Sequence, residues 1–406
     1  MTHAAAVVAL ASGCYFDAAV GRVRASRDAS AEVADVTEDA PDVAAVDVAD
    51  APSDMGVRPV DDPRREVSGL GSLAPAVSVD PGAPEDHFRL YYLGRDGALW
   101  MERRRASTLA SVCAVSLGAP DGRAIAGRPA AGDRAAQVVI APVREPDGRV
   151  QLWLREETTE GGACGGAFSP WAALPASPYE ITSAPAVYQW PIGAQFPAGN
   201  TYVLASTRSG LAMLLRREGR DAWDPWTLVP RQPADVRVYG RPGVLEWGAT
   251  LEVFALAETS GGRPSLFRTV YYADQDRWLN AWTDLPLQPD DAPASGVDAR
   301  SFFPVSAEAE QWLVYMGASG RLWRRAFHLV GGDAIWSPWS ALPAIARGEV
   351  DASPSAVSIG VARTAGVTSE LIVTAVPPGE RSLYVSRWSV TSRSFEPWSL
   401  APDPLR

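Results

Sequence analysis

Short apolar runs alternate with polar turns along most of this 406-residue chain. Residues 311–316 are apolar and rich in β-formers, 317–320 begin and end with Gly, and 321–327 alternate between apolar and polar side chains. Alternation with a period of two predicts strands, and Gly-containing breaks predict the turns between them. One further strand is predicted around 298–303 and another from Ile335 onward, which makes four strands in this stretch.

This group of four predicted strands occurs six times in all, and successive copies are 54–59 residues apart. One mark, a Trp followed four residues later by a Pro, ends every copy after the first, at Trp171, Trp226, Trp282, Trp339 and Trp398. A second mark lies near the start of each copy, at Pro75, Pro129, Pro185, Pro242 and Pro354, with Asp298 in the one gap. Two independent marks with one period predict an all-β fold, a six-bladed β-propeller of four-stranded blades.

The propeller is predicted to span residues 67–406, and the chain before it has a different composition. From residue 17 to residue 66, Ala, Val, Asp, Glu and Pro predominate and aromatic residues are absent. Such a segment repels itself and buries too little apolar surface to fold. We therefore predict that residues 15–66 form a disordered acidic linker that tethers the propeller; a tail without a role is the alternative.

The N-terminal residues resemble the lipobox of bacterial lipoprotein signal peptides. Small and apolar residues fill 4–12 before Gly13 and Cys14, although Ala11 stands where Leu is usual and no Arg or Lys precedes the run. The resemblance implies that residues 1–13 are a signal peptide and that Cys14 carries a lipid after cleavage. It implies an exported protein anchored to the bacterial cell envelope, at the outer membrane or the cell surface. An ordinary apolar N-terminus is the alternative, and the run is too short to span a bilayer as a helix.

The chain has three Cys residues, so lipidation of Cys14 leaves Cys113 and Cys164 as a pair. An even remainder in an exported chain predicts a disulfide, here between copies one and two. Two buried thiols are the alternative. Copy one also has Val-Cys-Ala at 112–114 where later copies have an aromatic pair, as expected of a terminal repeat.

Charge and motifs exclude several classes of function. The net charge of −11 argues against a nucleic-acid partner, which requires a basic surface. The three histidines, His3, His87 and His328, lack metal-ligand spacing, and no nucleophile elbow or phosphate loop is present. We therefore predict no cofactor, no metal and no catalysis. Paired carboxylates among 48 acidic residues leave a glycan hydrolase as one alternative.

The repeat rhythm resembles the PLL-type lectin propellers of bacteria and the superfamily of fucose-specific lectins. The resemblance covers about 69–402 and is clearest in 93–103 and 319–343. It implies shallow sugar sites between adjacent blades, each with an aromatic ring, an Arg and an acidic side chain. The implied partners are glycans, fucosylated ones among them, with the membrane reached through Cys14. Six copies match the fucose-specific lectins, whereas PLL-type members usually have seven. A platform for cell-surface proteins is the runner-up.

The third strand of each copy carries the candidate ligand-binding residues. An aromatic residue recurs at a fixed place there, except in copy three, and an Arg usually follows within three residues. An aromatic face stacks on a sugar ring, and Arg donates several hydrogen bonds. Packing between blades is the alternative role for each aromatic residue and the one we favour for the Trp marks. The candidates are Trp100, Arg103, Trp153, Arg155, Phe267, Arg268, Trp323, Arg325, Tyr384 and Arg387, with Trp323 and Arg325 first among them because copy five keeps the pattern best.

Overall fold

The computed structural model describes a large part of the chain from residue 76 onward. The described residues are 76–79, 87–94, 96–105, 108, 110–132, 137–158, 164, 167–189, 199–247, 250–279, 281–288, 291, 293–302, 310–317, 319, 321–330, 333–342, 356–364, 367–376, 384–389 and 394–400. The predicted signal peptide, Cys14 and the acidic linker lie outside these residues.

Strands in the described residues fall into six consecutive groups, which we number as blades 1 to 6. Blade 1 contains β1 (Ala76–Val79), β2 (His87–Leu93), β3 (Leu99–Arg105) and β4 (Ser111–Gly118). Blade 2 contains β5 (Ala130–Ala131), β6 (Val138–Arg144), β7 (Val150–Glu156) and β8 (Ala172–Ala173). Blade 3 contains β9 (Ala186–Gln189), β10 (Thr201–Thr207), β11 (Gly210–Arg216) and β12 (Thr227–Leu228).

The last three blades each have a fifth short strand because the outer edge pairs in two pieces. Blade 4 contains β13 (Val236–Trp247), β14 (Thr250–Thr259), β15 (Pro264–Tyr272), β16 (Arg277–Trp278) and β17 (Thr283–Leu285). Blade 5 contains β18 (Pro293–Phe302), β19 (Glu310–Gly317), β20 (Leu322–Val330), β21 (Asp333–Trp336) and β22 (Ser340–Ala341). Blade 6 contains β23 (Ala356–Thr364), β24 (Val367–Val376), β25 (Tyr384–Ser389), β26 (Ser394–Phe395) and β27 (Ser399–Leu400). The helical element of the described residues is a 3₁₀ turn at Pro120–Gly122. No helix of these residues is long and apolar enough to cross a bilayer.

The blades form a closed ring, which confirms the predicted all-β propeller. The first strand of each blade contacts the first strand of the next, and β23 of blade 6 contacts β1 of blade 1. The described strands form five hydrogen-bonded sheets and not the six expected, because blades 4 and 5 share one. Their first strands pair in parallel at Arg241 and Gly296, and the register of each strand shifts beside this bridge. Such shifts bend a strand and increase its twist, which brings the two edges together.

Alternate residues of a central strand face opposite neighbouring blades. In β11, Met213 belongs to a core cluster that contains Val253 of blade 4, whereas Leu214 belongs to a cluster that contains Leu152 of blade 2. Side chains two residues apart in a strand share a face, so the position of a residue in the third strand decides which blade it meets. Both faces are buried here, which is why β11 is apolar almost throughout.

In blades 2 to 5, the repeated Trp links its blade to the one before it through a hydrogen bond from the indole Nε1. The acceptor is the carbonyl of the Pro that ends the preceding copy, except in copy one, where Leu117 replaces it. The bonds run from Trp171 to Leu117 (2.9 Å), from Trp226 to Pro175 (2.9 Å), from Trp282 to Pro230 (3.0 Å) and from Trp339 to Pro286 (2.6 Å). We call these four residues the latch Trp residues, and their contacts show why the sequence mark repeats.

The predicted disulfide is confirmed between Cys113 of β4 and Cys164, whose Cα atoms lie 5.4 Å apart. The bond joins the outer strand of blade 1 to the segment after β7 of blade 2. It closes a loop with a sequence separation of 51 residues, which in the chain-entropy model contributes about 4 kcal/mol to the free energy of unfolding. Blade 1 differs from the other blades as the sequence predicts, because β4 has eight residues whereas β8 and β12 have two each.

Replacing Trp226 with Phe tests the latch. The variant keeps an aromatic ring but loses the N–H that satisfies the carbonyl of Pro175, so the free energy of unfolding should fall by about 1–3 kcal/mol. Trp223→Phe is the matched control, because Trp223 is half-buried three residues away and is not a latch residue. Urea unfolding followed by circular dichroism measures both variants, and equal losses would contradict the latch.

Candidate functional site

The predicted third-strand aromatic residues occupy one register position. Trp153, Phe267, Trp323 and Tyr384 each pair with the second residue after the repeated Trp of their blade, and Ala212 holds this position in blade 3. The position faces the preceding blade. Ala212 packs with apolar residues of blade 2, and Trp323 packs against the cluster that contains Phe254 and Leu266 of blade 4.

The predicted Arg residues fall at three different register positions. Arg155 and Arg325 lie two residues after their aromatic partner and share its face. Arg268 follows its partner by one residue, and Arg103 and Arg387 follow theirs by three, which places them on the opposite face of the strand. The structure therefore brings aromatic and Arg together on one face in blades 2 and 5, and separates them in blades 1, 4 and 6.

All three nitrogen atoms of the Arg155 guanidinium in blade 2 donate to backbone carbonyls. Its Nε donates to Ser169 (2.5 Å), and its Nη atoms donate to Phe168 (3.4 Å) and to Leu117 of blade 1. Burial lowers the pKa of Arg155 below its usual value. The neighbouring Trp153 is 7% exposed, and its Nε1 has no acceptor among the described residues. This pair therefore has the features of packing between blades.

Three candidate Arg residues lie on the face of the third strand opposite their aromatic partner, and two of these three bind a carboxylate. Arg268 makes two hydrogen bonds to Glu252, of 2.8 and 2.5 Å, and its pKa lies above its usual value because that carboxylate outweighs the opposing effect of burial. Arg387 donates to Glu396 at 2.7 Å. Arg103 is half-buried and lies opposite Arg89 and Cys113 in the register of blade 1. Phe267 packs into the core between blades 3 and 4, and Tyr384 is half-buried.

In blade 5, a buried carboxylate holds the candidate Trp323. The indole Nε1 of Trp323 donates to Asp291 Oδ2 at 2.6 Å, and the same carboxylate accepts from Ser319 N (2.9 Å) and Ser319 Oγ (2.6 Å). Burial opposes ionisation of Asp291, but these hydrogen bonds outweigh it and hold its pKa below the usual value. Gly317 permits this approach, because a Cβ there would lie 2.1 Å from the Asp291 carboxyl group.

Arg321, which directly precedes β20, lies beside the ring of Trp323, and Arg325 follows Trp323 by two residues on the same face of β20. The guanidinium carbon of Arg321 lies 5.8 Å from the centroid of the Trp323 ring, within the range of a cation–π contact. Arg325 donates from Nε to the Ser337 carbonyl (2.7 Å), with its guanidinium carbon 5.9 Å from the centroid of Trp339. Arg321 is exposed, and Trp323, Arg325 and Trp339 are half-buried. We call Asp291, Arg321, Trp323, Arg325 and Trp339 the blade-5 cluster.

Blade 1 holds its aromatic residue in a simpler way. Trp100 Nε1 donates to Asp96 Oδ1 at 3.1 Å, and Asp96 belongs to the β2–β3 turn. The next residue, Gly97, has φ +76°, which is the left-handed conformation predicted by the Asp-Gly signal of a hairpin. This site has an aromatic ring and an acid, but the Arg that follows Trp100 faces the other way.

Sequence reasoning missed Asp291 and Arg321. Arg321 could have been found, because a period of two from Trp323 places residues 321 and 325 on the same face as the ring. Asp291 lies in the linker between copies four and five, and its role depends on how that linker folds over the β19–β20 turn. Among the described residues, no group of three His, Cys, Asp or Glu could hold a metal ion.

Comparison with known proteins shows the fold without a family. No protein-family model matches the chain, and no curated protein matches it significantly. AofleA from Arthrobotrys oligospora is similar in structure, with a TM-score of 0.55 and 13% identity over 82% of this chain and 88% of that one. A fucose-specific lectin from Aleuria aurantia gives 0.50 and 12% over 82% and 98%. The Hadza microbial sialidase Hz136 gives 0.52 and 10% over 80% and 68%. At such identities the likeness concerns the propeller fold.

The depressed pKa of Asp291 predicts a pH-dependent contribution to stability. A carboxyl group whose pKa is lower in the folded than in the unfolded chain stabilises the fold above its unfolded value, about 3.9, and loses that effect as pH falls through the folded value. Asp291→Asn should therefore lower the free energy of unfolding by about 1.5–3 kcal/mol at pH 7, and the difference from wild type should shrink below about pH 4.

Chemical denaturation at a series of pH values between 2.5 and 7 measures this difference. Asp147→Asn is the control, because Asp147 lies on the exposed hairpin turn of blade 2. A deficit of Asp291→Asn that stays constant across this range would contradict the assignment of the carboxylate as the group that anchors Trp323.

Proposed function

We propose that this protein is a glycan-binding propeller without catalytic activity and that its principal site is the blade-5 cluster. The observation that carries the proposal is the half-buried indole of Trp323, held in place by Asp291 and flanked by Arg321 and Arg325. A ring fixed in this way offers a sugar the part of its surface that stays exposed, with hydrogen-bond donors beside it.

The other blades hold incomplete copies of this arrangement of an aromatic ring and Arg side chains. Blades 1 and 2 keep a Trp at the same position, but Arg103 faces the other blade and the donors of Arg155 are bound by carbonyls. Sugar binding by the pairs in blades 1, 2, 4 and 6 stays a prediction. Several weak sites on one ring would raise the avidity for a multivalent glycan. The fold shared with a fucose-specific lectin supports this class of ligand and makes fucosylated glycans a natural part of the first screen.

Two alternatives receive less support from the described residues. A protein-binding platform is expected to present a large exposed apolar patch. In the described part of the chain, the exposed large hydrophobic side chain is a single one, Val112, which is 40% exposed. A glycan hydrolase uses a carboxylic acid whose pKa is raised. The shifted carboxyl groups here, Asp276 and Asp291, both have lowered pKa values: the hydrogen bond from Tyr271 leads for Asp276, and several hydrogen bonds overcome burial for Asp291.

Replacing Trp323 with Ala tests the site. A glycan array on the full-length chain first identifies a bound sugar, and calorimetry then measures its affinity. We expect Trp323→Ala to weaken binding by about 1–3 kcal/mol, because the stacking surface is removed. Trp153→Ala is the matched control: it removes the buried aromatic ring at the same register position and should lower stability by about 3–5 kcal/mol while leaving the blade-5 affinity unchanged.

The opposite result would identify Trp323 as a packing residue. If Trp323→Ala binds the sugar as wild type does and only its melting temperature falls, the proposed site is wrong. If the array shows no bound glycan at all, the proposed function itself fails.

We also propose that the protein is exported and anchored to the cell envelope through a lipid on Cys14, as the lipobox-like sequence implies. Lipid attachment and the acidic linker together would hold the propeller away from the membrane.

Replacing Cys14 with Ser should abolish the anchor. Wild type expressed in a bacterial host should incorporate a labelled fatty acid and partition into detergent, whereas Cys14→Ser should do neither. The double variant Cys113→Ala/Cys164→Ala removes the two disulfide-bonded residues and should stay labelled. An unlabelled wild-type protein would refute the lipid anchor.

A further inference from the structure

We propose that the blade-5 cluster recognises the acidic group of a glycan, a carboxylate or a sulfate carried on a sugar, and that Arg325 binds this group. The inference rests on the proposed glycan-binding function and names the class of ligand for that site. Its basis is a cation whose donors the protein leaves largely unused.

Arg325 has one protein acceptor within the described residues. Its Nε donates to the carbonyl of Ser337 at 2.7 Å, which fixes the plane of the guanidinium. Neither Nη atom donates to a described residue, and neither is among the buried nitrogen atoms that lack a partner in the described part of the chain, so both are accessible to solvent. A guanidinium has five N–H donors, so the two Nη atoms offer a fork that fits both oxygens of a carboxylate.

Arg155 shows what the same position looks like when the protein satisfies it. Both residues lie two places after a Trp and donate from Nε to the carbonyl of a Ser that precedes Pro-Trp. The Nη atoms of Arg155 also reach Phe168 and Leu117. In blade 5 the carbonyl that corresponds to Leu117 is that of Pro286, which accepts from the latch residue Trp339 as Leu117 does from Trp171, but Pro286 accepts no hydrogen bond from Arg325. The two blades therefore differ in whether the guanidinium is available to a ligand.

The charge of the cluster favours an anion. Arg325 is half-buried, and this burial lowers its pKa; no carboxylate of the described residues contributes to the shift. Arg321 adds a second cation beside the ring of Trp323. The carboxylate of Asp291 already accepts three hydrogen bonds from Ser319 and Trp323, so it offers little to a ligand. Because Asp291 also interacts electrostatically with Arg321, the cation of Arg325 is the excess positive charge that an incoming sugar meets at this cluster.

The spacing of the three side chains suits a sugar ring with an acidic substituent. Trp323 and Arg325 are alternate residues of β20 and share a face about 7 Å apart, and Arg321 directly precedes β20 with its guanidinium carbon 5.8 Å from the centroid of the Trp323 ring. A sugar that stacks on Trp323 therefore lies beside the guanidinium of Arg321, and its acidic substituent would reach the guanidinium of Arg325, which lies near the rings of Trp336 and Trp339. Because the whole chain carries a net charge of −11, long polyanions are repelled at a distance, and a short oligosaccharide is the appropriate probe.

The test compares matched acidic and neutral probes. Calorimetry on the full-length chain measures the affinity for trigalacturonate, for its neutral counterpart galactotriose and for a 6-sulfated galactose oligomer. We expect wild type to prefer one or both acidic probes, and the tighter of the two distinguishes carboxylate from sulfate. Arg325→Gln should weaken binding of the preferred acidic probe by about 10- to 100-fold, the range for losing hydrogen bonds to a charged group, and change binding of the neutral probe by less than threefold.

Two further variants make the result specific. Arg149→Gln removes a cation from an exposed turn of blade 2, where the Arg149 side chain is 80% exposed, and should leave every affinity unchanged. Arg321→Gln alters an exposed residue and should fold normally; it should also weaken the acidic probe more than the neutral one. Equal affinity of wild type for acidic and neutral probes, or equal losses for both probes in Arg325→Gln, would overturn the inference and leave glycan binding intact. A protein that binds no glycan in the array would fail at the proposed function itself.

Discussion

Neighbouring blades of this propeller are joined by an indole N–H that reaches back to a backbone carbonyl, and the regularity of the ring depends on this contact. The acceptor lies where the chain leaves one blade for the next, and the donor lies 51–54 residues later, at the same point of the following copy. A carbonyl placed between two packed blades needs a partner, and the Trp supplies it while its ring fills the adjacent space. Donor and acceptor are separated by a nearly constant number of residues, so every copy needs nearly the same length. This constraint accounts for the regular period of the Trp marks in the sequence.

Because the outer strands carry the latch, the third strands are free to diverge. The register position that holds Trp323 in blade 5 holds Phe267 in blade 4 and Ala212 in blade 3, and both of these pack into the core between blades. In blade 2, Trp153 keeps the aromatic character, but the carbonyls around Arg155 satisfy its guanidinium. Repetition thus builds the scaffold, while a few substitutions on one face of one strand build the site.

The fold could be predicted because two marks repeat in phase, whereas details that depend on geometry could not. Blades 4 and 5 share a sheet through a single bridge between Arg241 and Gly296, beside two register shifts. No residue pattern in the sequence predicts this bridge. The candidate Arg residues were grouped by distance from the aromatic residue, which merged both faces of a strand; a strict period of two separates Arg155 and Arg325 from the others. Asp291 was missed because its role depends on the path of a linker.

The blade-5 cluster lies at the boundary where two blades of the described ring share a hydrogen-bonded sheet, and this bears on how a shallow site can bind. Blades 4 and 5 share backbone pairing in addition to the latch from Trp339 to Pro286. Within the cluster, Asp291 fixes Trp323, and Ser337 fixes Arg325 while its own Oγ accepts from Ala326 N at 2.9 Å. A shallow site buries little area, so its affinity depends on how little ordering a ligand must impose. Side chains whose orientation is already set by the protein reduce that cost, and at this boundary the scaffold itself supplies the order.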